Sequence, residues 1–169
     1  VTPCHWQIGR EHIEMLHPQA LDLSAEESHG LLHAMAPYFA QDGITLNYNA
    51  PTLWLAHGSL FEDLPTASLD RVVGREVGPW LPQGPHGQTL KRLQSEMQML
   101  LYTHPINEAR EAAGALTVNS FWLSSTGRLP EGALERPTGL TVMHYLRDAA
   151  MLGDWAGWVD AWKQFDAQV

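Results

Sequence analysis

The stretch from Gln88 to Gly127 constrains the fold more than any other part of the chain. Leu90, Leu93, Met97, Leu100, Leu101 and His104 recur at helical spacing, and Lys91, Arg92, Gln94, Ser95 and Gln98 lie off that stripe. The spacing predicts an amphipathic helix. Pro105 disfavours helical geometry at His104 and suits the first position of a second helix. That second helix is short, because Gly114 supplies a stop. "LTVNSFWL" follows and reads as a strand, with Val118 and Trp122 on one face and Phe121 and Leu123 toward the other. Apolar groups on both faces predict a buried, interior strand. "SSTGRLPEGALERPTG" then reads as a loop.

The rest of the chain supplies elements of both kinds. Ser24 and Glu27 form a capping box, and Leu31, Leu32, Met35 and Phe39 continue at helical spacing until Asp42-Gly43. Gly30 and Pro37 weaken that helix. Ile44, Leu46 and Tyr48 alternate with polar residues, and a second β-rich run spans Thr52 to His57, so a hairpin packed on one face is expected. Leu69, Val72, Val73, Val77 and Trp80 are spaced as on a helix closed by Gly78-Pro79. "PQGPHG" reads as a loop. "LTVMHYLRDAAMLG" fits either a strand then a helix, or a helix throughout. Asp154 caps a last helix with Trp155, Trp158, Val159, Trp162 and Phe165 on one side. The expected fold is therefore α+β, or an irregular α/β, as a single domain over residues 1–169. It has a β-hairpin, a buried strand near residues 117–123 and about five helices. The chain starts with Val1 rather than Met and ends within a helical pattern, so a fragment of a longer protein is expected.

Composition excludes several classes. The net charge of −9, from 10 Lys+Arg against 19 Asp+Glu, disfavours nucleic acid and anionic membranes, which need a basic patch. A single cysteine, Cys4, rules out an internal disulfide and a multi-cysteine metal site, and fits a reducing, cytoplasmic setting. No apolar run approaches the roughly 18 residues of a membrane span.

Candidate chemistry is sparse. His29 and His33, four apart on a helix, suit a metal in spacing but lack an accompanying carboxylate motif. Cys4, His5 and His12 offer soft and borderline ligands, although neighbours in extended chain point apart. Arg71 and Arg75 are four apart as well. For each group a structural or solvated role is the plainer reading. No G-x-S-x-G elbow, G-x-G-x-x-G or P-loop is present. The best candidate is the start of the helix at Pro105, where free N–H groups favour an anion. Asn107 and Arg110 lie three apart on it. Ser124, Ser125 and Thr126 follow the buried strand, where open α/β sheets place ligands. These five residues form the expected anion site, for a carboxylate or phosphoester. The alternative is that Asn107 and Arg110 tie the helix to neighbouring carbonyls and carboxylates while the loop merely turns.

Four blocks, "TPCHW", "YFAQDGITL", "ASLDRVVG" and "LQSEMQMLLYTHPINEAREAAGALTVNSFWLSSTG", carry a resemblance. The chain resembles a proteobacterial family described both as RpfE-type regulatory proteins and as cofactor-independent phosphoglycerate mutases. Over about a fifth of its length it is also similar to archaeal-type mutases of the alkaline-phosphatase superfamily, which share the run His104, Pro105, Asn107, Arg110, Gly114, Asn119 and Gly127. That likeness implies two metal ions held by Asp and His beside a Ser or Thr nucleophile. No D-x-H cluster of that kind is found here. Either it lies outside these residues, or the scaffold was kept and the metals lost; the second is favoured.

The expected function is a non-catalytic intracellular regulatory or binding protein without cofactor or metal, with a small anion as candidate ligand. The alternatives are a metal-dependent phosphoglycerate mutase-like enzyme, and an interaction subunit docking a partner or a second copy through Trp155, Trp158 and Trp162.

Overall fold

The computed structural model describes residues 1–10, 12–128, 139 and 142–167. The chain is α+β, with helices and two-stranded antiparallel pairings. It divides into two compact units, Val1–Arg128 and Leu129–Val169.

In the first unit, three short strands open the chain: β1 (Thr2–Cys4), β2 (Trp6–Ile8) and β3 (Ile13–Met15). A 3-10 turn at Pro18–Leu21 leads to α1 (Ala25–Gln41). The capping box forms as the sequence predicts: the Glu27 N–H donates to Ser24 Oγ at 3.2 Å, and the Ser24 N–H donates to Glu27 Oε2 at 2.8 Å. Leu31, Met35 and Phe39 bury the inner face of α1. Pro37 stands inside the helix on its exposed side. A side chain at Gly30 would collide with Ile106. The missing Cβ is therefore what lets a later helix lie against α1.

The hairpin follows as β4 (Thr45–Ala50) and β5 (Leu53–His57), with an irregularity between Tyr48 and Ala50. One face carries buried Leu46 and Trp54, and the other leaves Thr45, Asn47, Leu53, Leu55 and His57 exposed. The stretch read as one helix from Leu69 to Trp80 is not one. Only α2 (Leu69–Val72) is α-helical, because Gly74 turns to φ +69° and redirects the chain; a 3-10 turn at Gly78–Trp80 ends the stretch. Val73 and Glu76 then bridge to Met15 and Glu14, and the Val77 N–H donates to Ile13 O at 2.9 Å. Backbone pairing with β3 outcompetes a helix too weak to cross a glycine. Of the loop expected at "PQGPHG", Pro82 and Gln83 are non-helical, but Gly84 to Gly87 form the first turn of α3 (Gly84–Tyr102), with Pro85 where its missing N–H is no loss.

After α3, α4 (Pro105–Ala112) and β6 (Ser120–Trp122) complete the unit. β6 is buried throughout, as expected. It is not the interior strand of a sheet: among the described residues it pairs only with β1, antiparallel, with Thr2 opposite Trp122 and Cys4 opposite Ser120. Its outer edge is met by a side chain of α3, Gln94 Nε2 donating to Phe121 O at 3.3 Å. The β1–β6 ribbon lies between two apolar layers. Phe121 joins Phe39, Leu93, Met97 and Leu101 in the main core. Cys4, Trp6, Met15, Val72, Val73, Val77 and Trp122 are buried outside it. The bridges of Met15 to Trp6 and Val73, and the bond from Trp122 Nε1 to Ala67 O, gather them from β2, β3 and the 67–77 stretch. Burial on both faces thus comes from layers of side chains rather than from flanking strands.

In the second unit, α5 (Tyr145–Met151) and α6 (Trp155–Asp166) are described. Residues 129–138 of the expected loop and residues 140 and 141 of the ambiguous stretch lie outside the described residues. From Tyr145 that stretch is helix. Asp154 caps α6 as predicted, its Oδ1 accepting the Gly157 N–H at 2.9 Å. Among the described residues no helix is long and apolar enough to cross a membrane.

Candidate functional site

The block that begins at His104 is where the sequence concentrates its polar signals, and His104, Asn107, Arg110 and Asn119 each have a defined partner. His104 caps α4, its Nδ1 accepting the Ile106 N–H at 3.3 Å, and Pro105 occupies the first turn. Asn107 and Arg110 lie on the buried side of the helix, 3% and 5% exposed. Gly114, at φ +71°, ends the helix and reverses the chain toward β6.

Asn107 acts as a clasp. Its Nδ2 donates to Leu101 O at 2.8 Å and to Val118 O at 2.7 Å, while its Oδ1 accepts the Val118 N–H at 3.0 Å. One amide thereby joins the end of α3, α4 and the approach to β6. At Leu101 O it adds a side-chain donor to a helix-end carbonyl that also accepts the His104 N–H at 3.3 Å. Arg110 spans further. Its Nε donates to Leu116 O at 2.7 Å, one terminal nitrogen to Glu27 Oε1 at 2.7 Å, and the other to Leu21 O. The Glu27 carboxylate therefore closes the capping box of α1 and neutralises the buried guanidinium at once. Burial pushes the Glu27 carboxyl pKa up, but bonds from the Ser24 N–H and from Arg110 outweigh it and hold the group below its ordinary range. Asn119 makes a further clasp, its Oδ1 accepting the Trp6 N–H at 2.7 Å and its Nδ2 donating to Trp6 O at 2.9 Å. His5 Nδ1 donates to Thr117 O at 2.8 Å.

The five residues of the expected anion site are not brought together. Asn107 and Arg110 spend their donors on carbonyls and on Glu27, which is the structural alternative that the sequence left open. Asn107 borders a cavity of about 130 Å³ with Gln98, Tyr102, Glu111, Thr117 and Asn119. Ser124, Ser125 and Thr126 line a different cavity of about 240 Å³, beside Val1, Leu55, His57 and Phe61. Thr126 is itself committed there: its hydroxyl donates to Leu64 O and lies 2.9 Å from Thr66 Oγ1. Ser125 stands in the left-handed region at φ +57°. The loop turns sharply after β6 and presents Ser124 and Ser125 to the second cavity.

The other candidates have plain roles. His29 stacks on Tyr48, ring centroids 3.7 Å apart. Cys4 is fully buried, and burial pushes its thiol well above its ordinary range, away from nucleophile or thiolate ligand character. Arg71 lies over the Trp80 ring at 5.9 Å, and Arg75 stands beyond the Gly74 break, so the two do not share a helix face. Among the described residues no three His, Cys, Asp or Glu side chains converge as metal ligands would. Sequence reasoning found Glu27 only as a cap; its bond to Arg110 has no local signature. Asn119 was legible only as part of the shared run.

Two outcomes follow. Arg110→Met leaves Glu27 and two carbonyls without their donor, and is expected to cost about 3–5 kcal/mol in urea unfolding at pH 7. Glu27→Gln is expected to remove an acid-sensitive contribution. The folded carboxyl pKa lies below its unfolded value of about 4.3, so its stabilisation is present above that pH and fades as pH falls through the folded value. Unfolding free energies at pH 7 and pH 3 should therefore differ less in the variant than in the parent chain.

Set against family models, characterised proteins and solved structures, the chain finds no match.

Proposed function

We propose that the chain is a non-catalytic regulatory or binding protein of the bacterial cytoplasm, built on a scaffold related to phosphotransfer enzymes but working by contact with other molecules. The observation that carries this reading is the fate of the shared run. His104, Asn107, Arg110, Gly114 and Asn119 all serve the packing of α3, α4 and β6. The likeness to the mutases over these residues is accounted for by a common way of joining helix to strand, and it carries no reacting group with it. No anion role is proposed for Asn107 and Arg110, whose donors are engaged.

A second observation favours an interaction subunit as the form that this binding takes. Trp155, Trp158, Trp162 and Phe165 stack edge to face along α6, with successive centroids 6.4, 5.8 and 5.7 Å apart. Trp155 is 67% exposed and Trp162 41%. A row of large aromatic rings in water is costly to leave uncovered and is typical of protein contact surfaces. Asp154 and Asp166 stand at the two ends of the row, in a chain of net charge −9. The fitting partner is an amphipathic helix with an apolar face and Lys or Arg flanks, rather than a second copy carrying the same negative charge.

Both readings have direct tests. The purified chain, supplied with Mn²⁺ or Mg²⁺ and 3-phosphoglycerate, is expected to give no isomerisation or phosphate release and to retain no stoichiometric metal by elemental analysis. Turnover, or two bound ions per chain, would end the non-catalytic reading. For the second, a synthetic Leu/Lys amphipathic helix is expected to blue-shift the tryptophan emission. A Leu/Glu counterpart should leave it unchanged, and Trp158→Glu with Trp162→Glu should abolish the response. Equal responses to the two peptides would rule out the basic partner.

A further inference from the structure

α3 and α4 end beside the same small cavity. Leu101 and Tyr102, the last two residues of α3, line the space of about 130 Å³, and so does Glu111 in the last turn of α4. The C-terminal end of a helix carries partial negative charge and favours a nearby cation. α3 has no basic residue in its last turn. Glu111 adds a full negative charge at a helix end where a carboxylate is unfavourable. Among the described residues that line the cavity it is the only charged side chain. Arg110, its neighbour in sequence, gives its charge to Glu27 instead. The side chains of Gln98, Tyr102, Glu111 and Thr117 have no hydrogen bond, ion pair or ring contact among the described residues, whereas Asn107 and Asn119 are held by backbone groups. The lining therefore combines negative potential with free acceptors and has no cation of its own.

We propose that this cavity receives the guanidinium of an arginine side chain from a polypeptide partner. A guanidinium keeps its charge and presents its donors in one plane, so it serves several acceptors at once. Glu111 on α4, Gln98 on α3 and Thr117 on the approach to β6 supply those acceptors, and Tyr102 supplies a ring on which the group stacks. An ammonium, as a point charge, makes less use of such a lining. An open apolar shelf adjoins the cavity and shares Gln98 and Tyr102 with it. On the shelf Met99 is 78% exposed and Tyr102 85%. They stand three apart on α3, so the two side chains share one face. A free guanidine compound leaves that shelf in water, whereas an arginine with an apolar neighbour in its own chain covers it. The net charge of −9 draws a basic segment toward the surface. The site lies within the first unit and makes no use of the aromatic row of α6.

The test titrates the intact chain with a capped Leu-Arg-Leu peptide and follows the backbone amide signals of Glu111, Thr117 and Asn119 by NMR. A citrulline counterpart keeps the shape and loses the charge, and is expected to bind about tenfold or more weakly. A Ser-Arg-Ser peptide keeps the charge and loses the apolar contact, and is expected to bind about fivefold more weakly. Glu111→Gln removes an exposed carboxylate from a helix end and leaves the fold intact. It should bring the arginine and citrulline peptides to equal affinity. Met99→Ser should narrow the gap between the Leu-flanked and Ser-flanked peptides. Equal binding of the arginine and citrulline peptides to the parent chain, or an arginine preference that survives Glu111→Gln, would overturn the proposal. Equal binding with Leu and Ser flanks would overturn the polypeptide source and assign the cavity to a free guanidine compound. Peptide-induced shifts at the α6 tryptophans with none at the cavity would also overturn it, placing the basic segment on α6 alone.

Discussion

A guanidinium that is 5% exposed is the constraint on which the first unit rests. Arg110 cannot release its proton, so its charge must be matched where it lies. Glu27 supplies the counter-charge, and Leu116 and Leu21 supply carbonyls. The three acceptors come from three separate parts of the chain: the link into β6, the first turn of α1, and the 3-10 turn before it. None of these can move without leaving a charge or a carbonyl unsatisfied in a dry interior. Glu27 is in turn fixed by Ser24, so the local rule that starts α1 also positions the long-range ion pair. A buried pair of this kind is a weak source of net stability, but its geometry admits few alternative packings.

Asn107 and Asn119 extend the same logic from charge to neutral amides. Each presents an acceptor and a donor to the two backbone groups of one residue, Val118 and Trp6 respectively. A side-chain amide used in this way imitates a strand neighbour. This explains how β6 and β2, both of three residues, hold their places without a wide sheet. Gln94 does the same more loosely on the outer edge of β6. The short strands are therefore stabilised by side-chain clasps and by the two apolar layers around them, where a larger α/β fold would use additional strands.

What the sequence disclosed divides along the range of the interactions involved. Signals that act within one turn were legible: the Ser24 cap, the Pro105 start, the Gly114 stop, the Asp154 cap and the alternation through the hairpin. The helix misread over 69–80 failed because Val73 and Val77 are spaced equally well for a helix and for bridges to β3, and only the partner strand decides between them. β6 was legible as buried but not as two-stranded, since apolar residues on both faces record burial and not the number of hydrogen-bonded neighbours. The commitment of Asn107 and Arg110 to partners within the chain was illegible for a related reason. Asn and Arg near a helix start look alike whether their donors face a ligand or a carbonyl, and the carbonyls of Leu21 and Leu116 leave no mark in the side-chain sequence.

The same limit governs what a shared run of residues can say about activity. In a reactive site the polar atoms point at an unoccupied volume, and their geometry has a purpose only when something enters. Here the polar atoms of His104, Asn107, Arg110 and Asn119 point at the chain's own backbone and at the Glu27 carboxylate, so selection for the fold alone is sufficient to keep them together. Groups that do face open space lie elsewhere, the rings of Trp155 and Trp162 on α6 among them. They offer apolar area, a different chemistry from that of the shared run, so a likeness over that run bears on how the fold is joined and not on what the exposed rings meet.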